Sequence, residues 1–400
     1  MKILIICNRI PYPLKDGGAI AIYNMIHSMI NLEHEVSLFS LNTNKHFIDP
    51  DSLPPLFKKL IHTCFVKIDT SISIKKAFIN LFSNRSFIIE RFENENIHDE
   101  LRVFLTANKF DIIQIEGMTM LPYIPTIKKV SKAKITFRAH NLEHQIWDRL
   151  SENAKYVKRW YLKLLANQML QQEKKMPALV DAIIPITIED ANFFKIHFPK
   201  TLLFTSPAGV DLNRFVPNLK AAETNTIFHI GALNWMPNQD SIIWFKDKVW
   251  PIITKANPQL KFYIAGKDTS ESFLKWNYEN IIVLGEVDSA IDFINSKSIM
   301  IVPLQSGSGM RLKVVEGMAL KKAIVSTSIG AEGIEYTNKE NILIADTPED
   351  FANGILNLLI NDAFRQKIEI NARKLIELNY NQDKLVENLC LFYLNKVLTC

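Results

Sequence analysis

The chain has 400 residues, 48% of them hydrophobic, which is enough apolar material for the cores of two or three globular domains. No apolar run reaches the roughly 20 residues that span a bilayer, residues 2–7 are too short for a signal peptide, and the four cysteines follow neither a disulfide nor a zinc-binding pattern. We therefore expect a folded cytoplasmic protein without structural metal, whose net charge of +5 divides into +7 over residues 1–205 and −2 over residues 206–400.

The first half of the sequence alternates short apolar runs with helical patterns. Runs of β-branched and aliphatic residues predict strands at 2–7, 35–40, 112–115, 134–137, 182–185 and 201–205. Apolar residues at helical spacing predict helices at 18–31, 95–108 and 143–176. Strands that alternate with helices in this way are typical of a doubly wound parallel sheet.

The loop after the first predicted strand contains two consecutive glycines next to a helix start. Gly17 and Gly18 leave room for a phosphate or a sugar to approach the backbone, and Asp16 is placed to cap the helix. We predict these three residues as an acceptor or phosphate loop, with a turn that binds no ligand as the alternative. The Gly-x4-Gly-Lys-Ser/Thr spacing of a P-loop is missing.

Ionisable residues follow two further strands at their carboxyl ends, which is where open parallel sheets bind ligands. His140 follows strand 134–137, and its position predicts a catalytic role, with a structural histidine as the alternative. Glu116 follows strand 112–115 at the same edge and is a candidate for shaping an acceptor pocket.

The predicted helix over 143–176 contains a basic and aromatic stretch, Tyr156-Val-Lys-Arg-Trp-Tyr-Leu-Lys-Leu-Leu165. The pattern favours an amphipathic helix whose cations face solvent while its Trp, Tyr and Leu side chains face the core. The alternative is a helix that lies on an anionic surface and attaches the protein peripherally to the inner face of a membrane. No nucleic-acid-binding module is recognisable, so no nucleic-acid partner is expected.

The second half repeats the alternation of strands and helices. Strands are predicted at 226–230, 260–265, 281–284, 298–302, 323–326 and 341–344, with helices near 238–250, 310–320, 348–360 and 362–378. Prolines and a glycine in 206–217 break both patterns and mark the join. We expect two doubly wound, Rossmann-like α/β domains, 1–205 and 206–380, that face a ligand-binding cleft.

The segment Gln305-Ser-Gly-Ser-Gly-Met-Arg-Leu-Lys-Val-Val-Glu316 is suited to binding a diphosphate. It follows an apolar strand, contains glycines at 307 and 309, and leads into a helix that carries Arg311 and Lys313. Backbone N–H groups, the helix dipole and two cations all favour an anion there. Glu316 is placed to accept hydrogen bonds from sugar or ribose hydroxyls. Elsewhere in this half, backbone groups around Gly285 could recognise the edge of a base.

Taken together, these motifs resemble the GT-B glycosyltransferases, specifically the retaining family 4 type. The resemblance covers nearly the whole chain and rests on Asp16-Gly17-Gly18, Arg138-Ala-His140-Asn-Leu-Glu143, Gly231-Ala-Leu-Asn-Trp-Met-Pro-Asn238 and Gly307-Ser-Gly-Met-Arg-Leu-Lys-Val-Val-Glu316. It implies a first domain that binds a saccharide or lipid-linked acceptor and a second that binds a nucleotide-sugar donor. A C-terminal helix over 381–400 is expected to cross back to the first domain. The implied activity is retaining sugar transfer in surface polysaccharide or glycoconjugate biosynthesis.

The family pattern also implies roles for particular residues. Glu316 matches the second glutamate of the Glu-x7-Glu motif and is expected to hold the ribose hydroxyls, whereas Ser308 stands where the first glutamate is usual. Arg311 and Lys313 are candidates to replace the Arg and Lys that the family often carries after the first strand of its second domain. The predicted catalytic residues are His140 and Glu316. The predicted donor-binding residues are Gly231, Asn234, Gly285, Val287, Gly307, Ser308, Gly309, Met310, Arg311, Lys313 and Glu316.

The expected mechanism follows from the charge that develops on the leaving group. A departing nucleoside diphosphate gains negative charge, which Arg311, Lys313 and the 307–309 loop would stabilise. No carboxylate is placed as a nucleophile, and the resemblance implies front-face transfer, with the leaving phosphate assisting acceptor deprotonation and His140 orienting the donor sugar or the acceptor. The only Asp-x-Asp spacing, Asp49-Pro-Asp51, lies in a turn-like stretch. We therefore predict a reaction without metal or cofactor.

Two other functional classes remain open at this point. A nucleotide-sugar epimerase of the same architecture would use the same donor site and act without an acceptor. A non-catalytic nucleotide-sugar-binding scaffold protein is suggested by the missing first glutamate, and it would bind the donor without turnover.

Overall fold

The computed structural model describes residues 1–14, 16–71, 80, 83, 85–152, 154–307 and 309–399. Contacts between residues divide the chain into two compact units. Unit 1 consists of Met1–Leu14, Gly18–Pro207 and Lys384–Cys400, and unit 2 consists of Lys15–Gly17 and Ala208–Asp383. The last segment of the chain is thus part of unit 1.

Unit 1 is built on a seven-stranded parallel sheet. Its strands are β1 Lys2–Cys7, β2 Glu35–Thr43, β3 Thr63–Ile68, β4 Ile112–Glu116, β5 Lys134–Ala139, β6 Ala182–Pro185 and β7 Leu202–Leu203, in the order β3-β2-β1-β4-β5-β6-β7. The accompanying helices are Gly17–Asn31, Phe87–Glu90, Glu95–Ala107, Ile124–Val130, Glu143–Glu152, Tyr156–Lys175, Ile188–His197 and Gln382–Phe392, and a π-helical turn, Tyr393–Val397, follows the last of them.

Both faces of this sheet are buried, which explains why β1 is apolar at every position after Lys2. Leu4 and Ile6 belong to the hydrophobic cluster on one face. Ile3 and Ile5 belong to the cluster on the other face, which Leu389 of the last helix also joins. All five side chains are fully buried, so the C-terminal helix covers part of the sheet.

Unit 2 is built on a six-stranded parallel sheet. Its strands are β8 Glu223–Ile230, β9 Lys261–Ala265, β10 Ile281–Gly285, β11 Lys297–Val302, β12 Ala323–Ser326 and β13 Leu343–Ile344, in the order β10-β9-β8-β11-β12-β13. The helices are Met236–Trp244, Trp250–Ala256, Glu271–Leu274, Ala290–Asn295, Leu312–Ala319, Pro348–Ile360 and Asp362–Asn379. Because β9 and β11 lie on opposite sides of β8, the strand order reverses at the β8–β11 pair, and such switch points form ligand sites in doubly wound sheets.

The predicted α/β architecture with two parallel sheets is confirmed, while two local predictions are wrong. Strand β3 was not predicted, because it is an edge strand in which exposed Thr63 and Lys67 interrupt the apolar pattern. The single helix expected over 143–176 is two helices, and Lys155 between them has extended backbone angles (φ −99°, ψ 141°).

The second of these helices, Tyr156–Lys175, also differs from expectation in what it exposes. Leu162 and Leu165 are buried as predicted and Tyr161 packs beside them, but Tyr156 is 90% exposed and Trp160 is 59% exposed, so these two aromatic residues do not face the core. In the part of the chain that the structure describes, no helix is both long and apolar enough to cross a membrane. Asp49 caps a short 3₁₀ turn, Pro50–Ser52, in agreement with its interpretation as a turn.

Candidate functional site

The switch point of unit 2 places two glycine-containing loops side by side. One loop begins at Gly231 after β8, and the other runs from Pro303 to Arg311 after β11. A Cβ atom on Gly231 would lie 2.8 Å from Asn238 Nδ2 and 3.0 Å from Lys313 Nζ. The absence of a side chain at residue 231 therefore lets the β8 loop lie directly against Asn238 and Lys313.

Lys313 is held in place by two buried polar side chains. Its Nζ atom donates to Asn238 Oδ1 at 2.9 Å and lies 3.4 Å from His229 Nε2. His229 Nδ1 lies 3.2 Å from the Ile301 carbonyl, which can only accept, so Nδ1 carries the ring proton and Nε2 accepts from the lysine. The ammonium group is thus fixed at the carboxyl edge of the sheet.

The charge on this lysine depends on pH near neutrality. The pKa of Lys313 is lowered to about 7, mainly by burial and to a smaller extent by the positive charge of Arg311. Burial, followed by the charge of Lys313, also lowers the pKa of His229 well below its usual range, so the histidine stays neutral and accepts from the lysine. A bound anion would favour the protonated lysine, which makes this position suited to a phosphate group.

Arg311 is the second cation of the site and precedes the helix Leu312–Ala319. Its guanidinium lies 5.4 Å from the centre of the Trp235 ring, within the range of a cation–π contact. Gly307 has a φ of +119°, and a Cβ atom there would lie 2.7 Å from Arg311 Nη2 and 3.1 Å from the Trp235 ring. The loop can therefore close over the arginine only because residue 307 has no side chain.

Glu316 lies one turn beyond Lys313 on the same helix and shares its face, because residues three apart are neighbours on a helix surface. Burial raises the pKa of Glu316 to about 7, against the opposing charge of Arg214. The carboxylate becomes a strong acceptor for hydroxyl groups once it is ionised.

The remaining donor-site predictions fall into three groups. Gly309 (φ +83°) and Met310 belong to the β11 loop, and Ser308 lies outside the described residues. Asn234 is exposed and donates to Asp268 Oδ2 at 2.8 Å, without a contact to Lys313. Gly285 (φ +71°) and Val287 lie at the end of β10, roughly 10 Å from β8 because β9 intervenes.

Unit 1 brings His140 and Glu116 into contact. Strands β4 and β5 are neighbours, so their carboxyl ends meet, and His140 Nε2 lies 2.6 Å from Glu116 Oε2. Burial alone would raise the pKa of Glu116, but the hydrogen bond and charge of His140, with the charge of Arg138 and a hydrogen bond from Gln114, hold it below its ordinary value. The carboxylate is therefore ionised and fixes the proton of His140 on Nε2.

In the predicted glycine loop after β1, the helix Gly17–Asn31 begins at Gly17, directly after Asp16, and Gly18 lies in its first turn. Three residues of unit 2 were not assigned roles from the sequence: His229, Trp235 and Asn238. A histidine inside an otherwise apolar strand was the available signal for His229. The contacts of Trp235 and Asn238 depend on strand order, which the sequence alone does not reveal.

Comparisons with known proteins find relatives of this chain. Residues 224–361 match the family model described as glycosyl transferases group 1. An uncharacterized 44.6 kDa protein in the cps region of Klebsiella pneumoniae is 25% identical over 402 residues, which cover 97% of this chain and 98% of that protein. An uncharacterized glycosyltransferase of Methanocaldococcus jannaschii is 32% identical over 120 residues, covering 28% of this chain and 31% of that protein.

Solved structures share the fold at low sequence identity. Sucrose-phosphate synthase from Thermosynechococcus elongatus has a TM-score of 0.74 and 12% identity, with 100% of both chains covered. HepE from Anabaena, solved in complex with UDP, has a TM-score of 0.65 and 12% identity, covering 98% of this chain and 99% of that one. These likenesses confirm the predicted architecture of two parallel-sheet, Rossmann-like units.

Proposed function

We propose that this chain transfers a sugar from a nucleotide-sugar donor to a saccharide or lipid-linked acceptor with retention of anomeric configuration. The match of residues 224–361 to the group 1 glycosyltransferase family model and the GT-B-like fold support this proposal. The paired cations at the switch point of unit 2 carry this proposal. Lys313 and Arg311 lie beside a glycine-containing loop at the start of a helix, an arrangement that is suited to a diphosphate.

Each part of the site has a defined role in the proposed reaction. Lys313 and Arg311 neutralise the charge that grows on the leaving diphosphate, and Glu316 accepts hydrogen bonds from the ribose hydroxyls. His140, oriented by Glu116, hydrogen-bonds the donor sugar or the acceptor. The glycosyl–phosphate bond breaks while the acceptor oxygen bonds to the same face of the sugar, and the acceptor proton passes to the leaving phosphate.

The proposed pathway is the assembly of a surface polysaccharide or another glycoconjugate, at the cytoplasmic face of a membrane. The relative from the cps region of Klebsiella pneumoniae, which matches over almost the full chain, supports the proposed pathway. HepE from Anabaena was solved in complex with UDP, and a TarM variant of S. aureus in complex with Fondaparinux, α-GlcNAc-glycerol and UDP. Those ligands support a nucleoside diphosphate as the leaving group here.

Donor binding is expected to be selective for one nucleotide-sugar and insensitive to EDTA, because two side-chain cations replace a divalent metal. Thermal unfolding of the purified protein with UDP, GDP, ADP, CMP and their sugar conjugates tests this. A ligand at a hundredfold its Kd adds about 2.7 kcal/mol to the free energy of unfolding. A shift that disappears with EDTA and returns with Mg²⁺ would contradict metal independence, and no shift with any nucleotide would contradict donor binding.

The exposed start of the helix Tyr156–Lys175 is expected to attach the protein to anionic membranes. Tyr156, Val157 and Trp160 are 90%, 78% and 59% exposed. They alternate with the exposed cations Lys155, Lys158, Arg159 and Lys163. Aromatic side chains that insert at the headgroup level, next to cations that attract anionic lipid, form a peripheral membrane site.

Replacing Trp160 tests this surface. Trp160→Ser is expected to lower partitioning onto vesicles with anionic phospholipid by roughly tenfold, because it removes about 1.5 kcal/mol or more of apolar burial. Val103→Ser is the matched control, since Val103 is 68% exposed in unit 1 but lies near Asp99 and Glu100. Equal partitioning of both variants, measured by co-sedimentation, would show that this helix does not bind the membrane.

A further inference from the structure

A row of buried polar side chains lies beneath His140 in the centre of the sheet of unit 1. In the register of β4 and β5, Gln114 pairs with Thr136 and Glu116 pairs with Arg138, so these four side chains share one face. Each is at most 2% exposed. Polar groups at such positions destabilise a fold unless they are hydrogen-bonded, so their partners identify what the row does.

The hydrogen bonds of this row run in one direction, towards Glu116. Thr136 Oγ1 donates to the Tyr393 hydroxyl at 3.4 Å, the Tyr393 hydroxyl donates to Gln114 Oε1, and Gln114 Nε2 donates to Glu116 Oε1. The ionised carboxylate can only accept, so the amide group of Gln114 must face it and the amide oxygen must face Tyr393. His140 completes the chain by donating to Glu116 Oε2.

Tyr393 reaches this row from the far end of the sequence, 279 residues beyond Gln114. It is fully buried in the π-helical turn Tyr393–Val397, after the last helix. Burial raises the pKa of Tyr393, so the phenol keeps its proton and remains a donor. The C-terminal segment therefore supplies a hydrogen bond as well as apolar cover to unit 1.

We propose that Tyr393 is a positioning residue for His140: it fixes the amide of Gln114, which fixes Glu116, which holds the imidazole with its proton on Nε2 and leaves Nδ1 to meet the substrate. The proposal rests on the transferase function proposed for this chain. Without the phenol, the amide oxygen of Gln114 loses its hydrogen bond from Tyr393, and both Gln114 and Glu116 are then positioned less firmly beneath His140. His140 would then populate both tautomers.

Tyr393→Phe removes the hydroxyl with almost no change in volume. The ring ¹⁵N signals of His140, assigned with His140→Gln, report the tautomer directly, and no turnover is needed. We expect a single Nε2–H tautomer in the wild type and a mixture in Tyr393→Phe. The control is Tyr123→Phe, because Tyr123 is also fully buried in unit 1 but donates to the Phe92 carbonyl. An unchanged His140 spectrum in Tyr393→Phe would overturn the proposal.

Steady-state kinetics provides a second test of the proposal. Tyr393→Phe is expected to lower kcat by roughly three- to tenfold, the value of one hydrogen bond, without raising the KM of the donor. Gln114→Met breaks the same chain one step closer to Glu116, and the double variant should be no slower than Gln114→Met alone because the residues act in series. Additive losses would contradict a chain through Gln114, and if Tyr393→Phe fails to fold, the His140 spectrum of Gln114→Met decides.

These two measurements, the ¹⁵N spectrum of His140 and the kinetics, distinguish a failure of the positioning proposal from a failure of the proposed transferase function. If the wild-type protein transfers no sugar but Tyr393→Phe alters the tautomer of His140, then the transferase function fails and the positioning chain stands. If transfer occurs and Tyr393→Phe changes neither the tautomer of His140 nor kcat, the C-terminal segment has only a structural role.

Discussion

Lys313→Met is expected to weaken binding of the nucleotide-sugar donor by roughly ten- to a hundredfold, the cost of losing one charge-assisted hydrogen bond to a phosphate. The reason is geometric, since Asn238 and His229 hold the ammonium group at the carboxyl edge where the diphosphate would lie. Titration calorimetry with the nucleoside diphosphate measures the change without need of an acceptor.

Lys322→Met is the matched control for this variant. Lys322 is a second buried lysine of unit 2, but its Nζ atom donates to the carbonyls of Asn295 and Lys297, at the opposite edge of the sheet where β11 begins. Its loss should lower stability and leave the Kd of the donor unchanged. Equal donor affinities of Lys313→Met and the wild type would show that the diphosphate does not bind at this edge of unit 2.

The pH dependence of donor affinity follows from the same two helix residues. The pKa of Lys313 is lowered to about 7 and that of Glu316 is raised to about 7. As pH rises through 7, the lysine loses the charge that binds phosphate while the glutamate gains the charge that binds hydroxyls. Affinity in the wild type should therefore peak near pH 7, increase with pH in Lys313→Met, and decrease with pH in Glu316→Gln.

His140→Ala is expected to lower kcat by about a hundredfold or more, the usual contribution of a positioned histidine, while donor affinity stays near the wild-type value. The imidazole lies at the end of β5 and is oriented by an ionised carboxylate, so it is arranged to meet the sugar or the acceptor. Steady-state kinetics with the identified donor and acceptor gives both parameters.

The control for this variant is His98→Ala. His98 is a partly buried histidine of unit 1 that bonds Thr126 Oγ1 at 2.7 Å from a helix, away from the strand ends. Its replacement should leave kcat unchanged. A loss in His140→Ala that does not exceed the loss in His98→Ala would mean that His140 is structural.

The architecture could be predicted from the sequence because the central strands are buried on both faces and are therefore mostly apolar runs that alternate with helical patterns. Chain order also showed that Gly231, Arg311 and Lys313 lie at the carboxyl edge of one sheet. It did not show that β8 and β11 are neighbours, which is what brings Gly231 within reach of Lys313. Strand order is set by which faces pack best across the whole unit, and no local pattern records it.

Side-chain contacts between distant segments could not be predicted from the sequence for the same reason. The stacking of Arg311 on Trp235 and the link from Tyr393 to Gln114 each depend on the folded sheet and on rotamers chosen by its neighbours. The exposed Trp160 was expected in the core together with the leucines, but it lies two residues before Leu162 and five before Leu165, and residues at those separations do not share a helix face.

Sugar transfer itself tests the central claim most directly. The wild-type protein would be incubated with an isotopically labelled form of the donor that stabilises it, with lipid-linked and polysaccharide acceptors, and the product examined by NMR. We predict release of one nucleoside diphosphate per sugar transferred and a new glycosidic bond with the anomeric configuration of the donor. Conversion of the sugar without an acceptor, or tight donor binding without release in any mixture, would contradict the account.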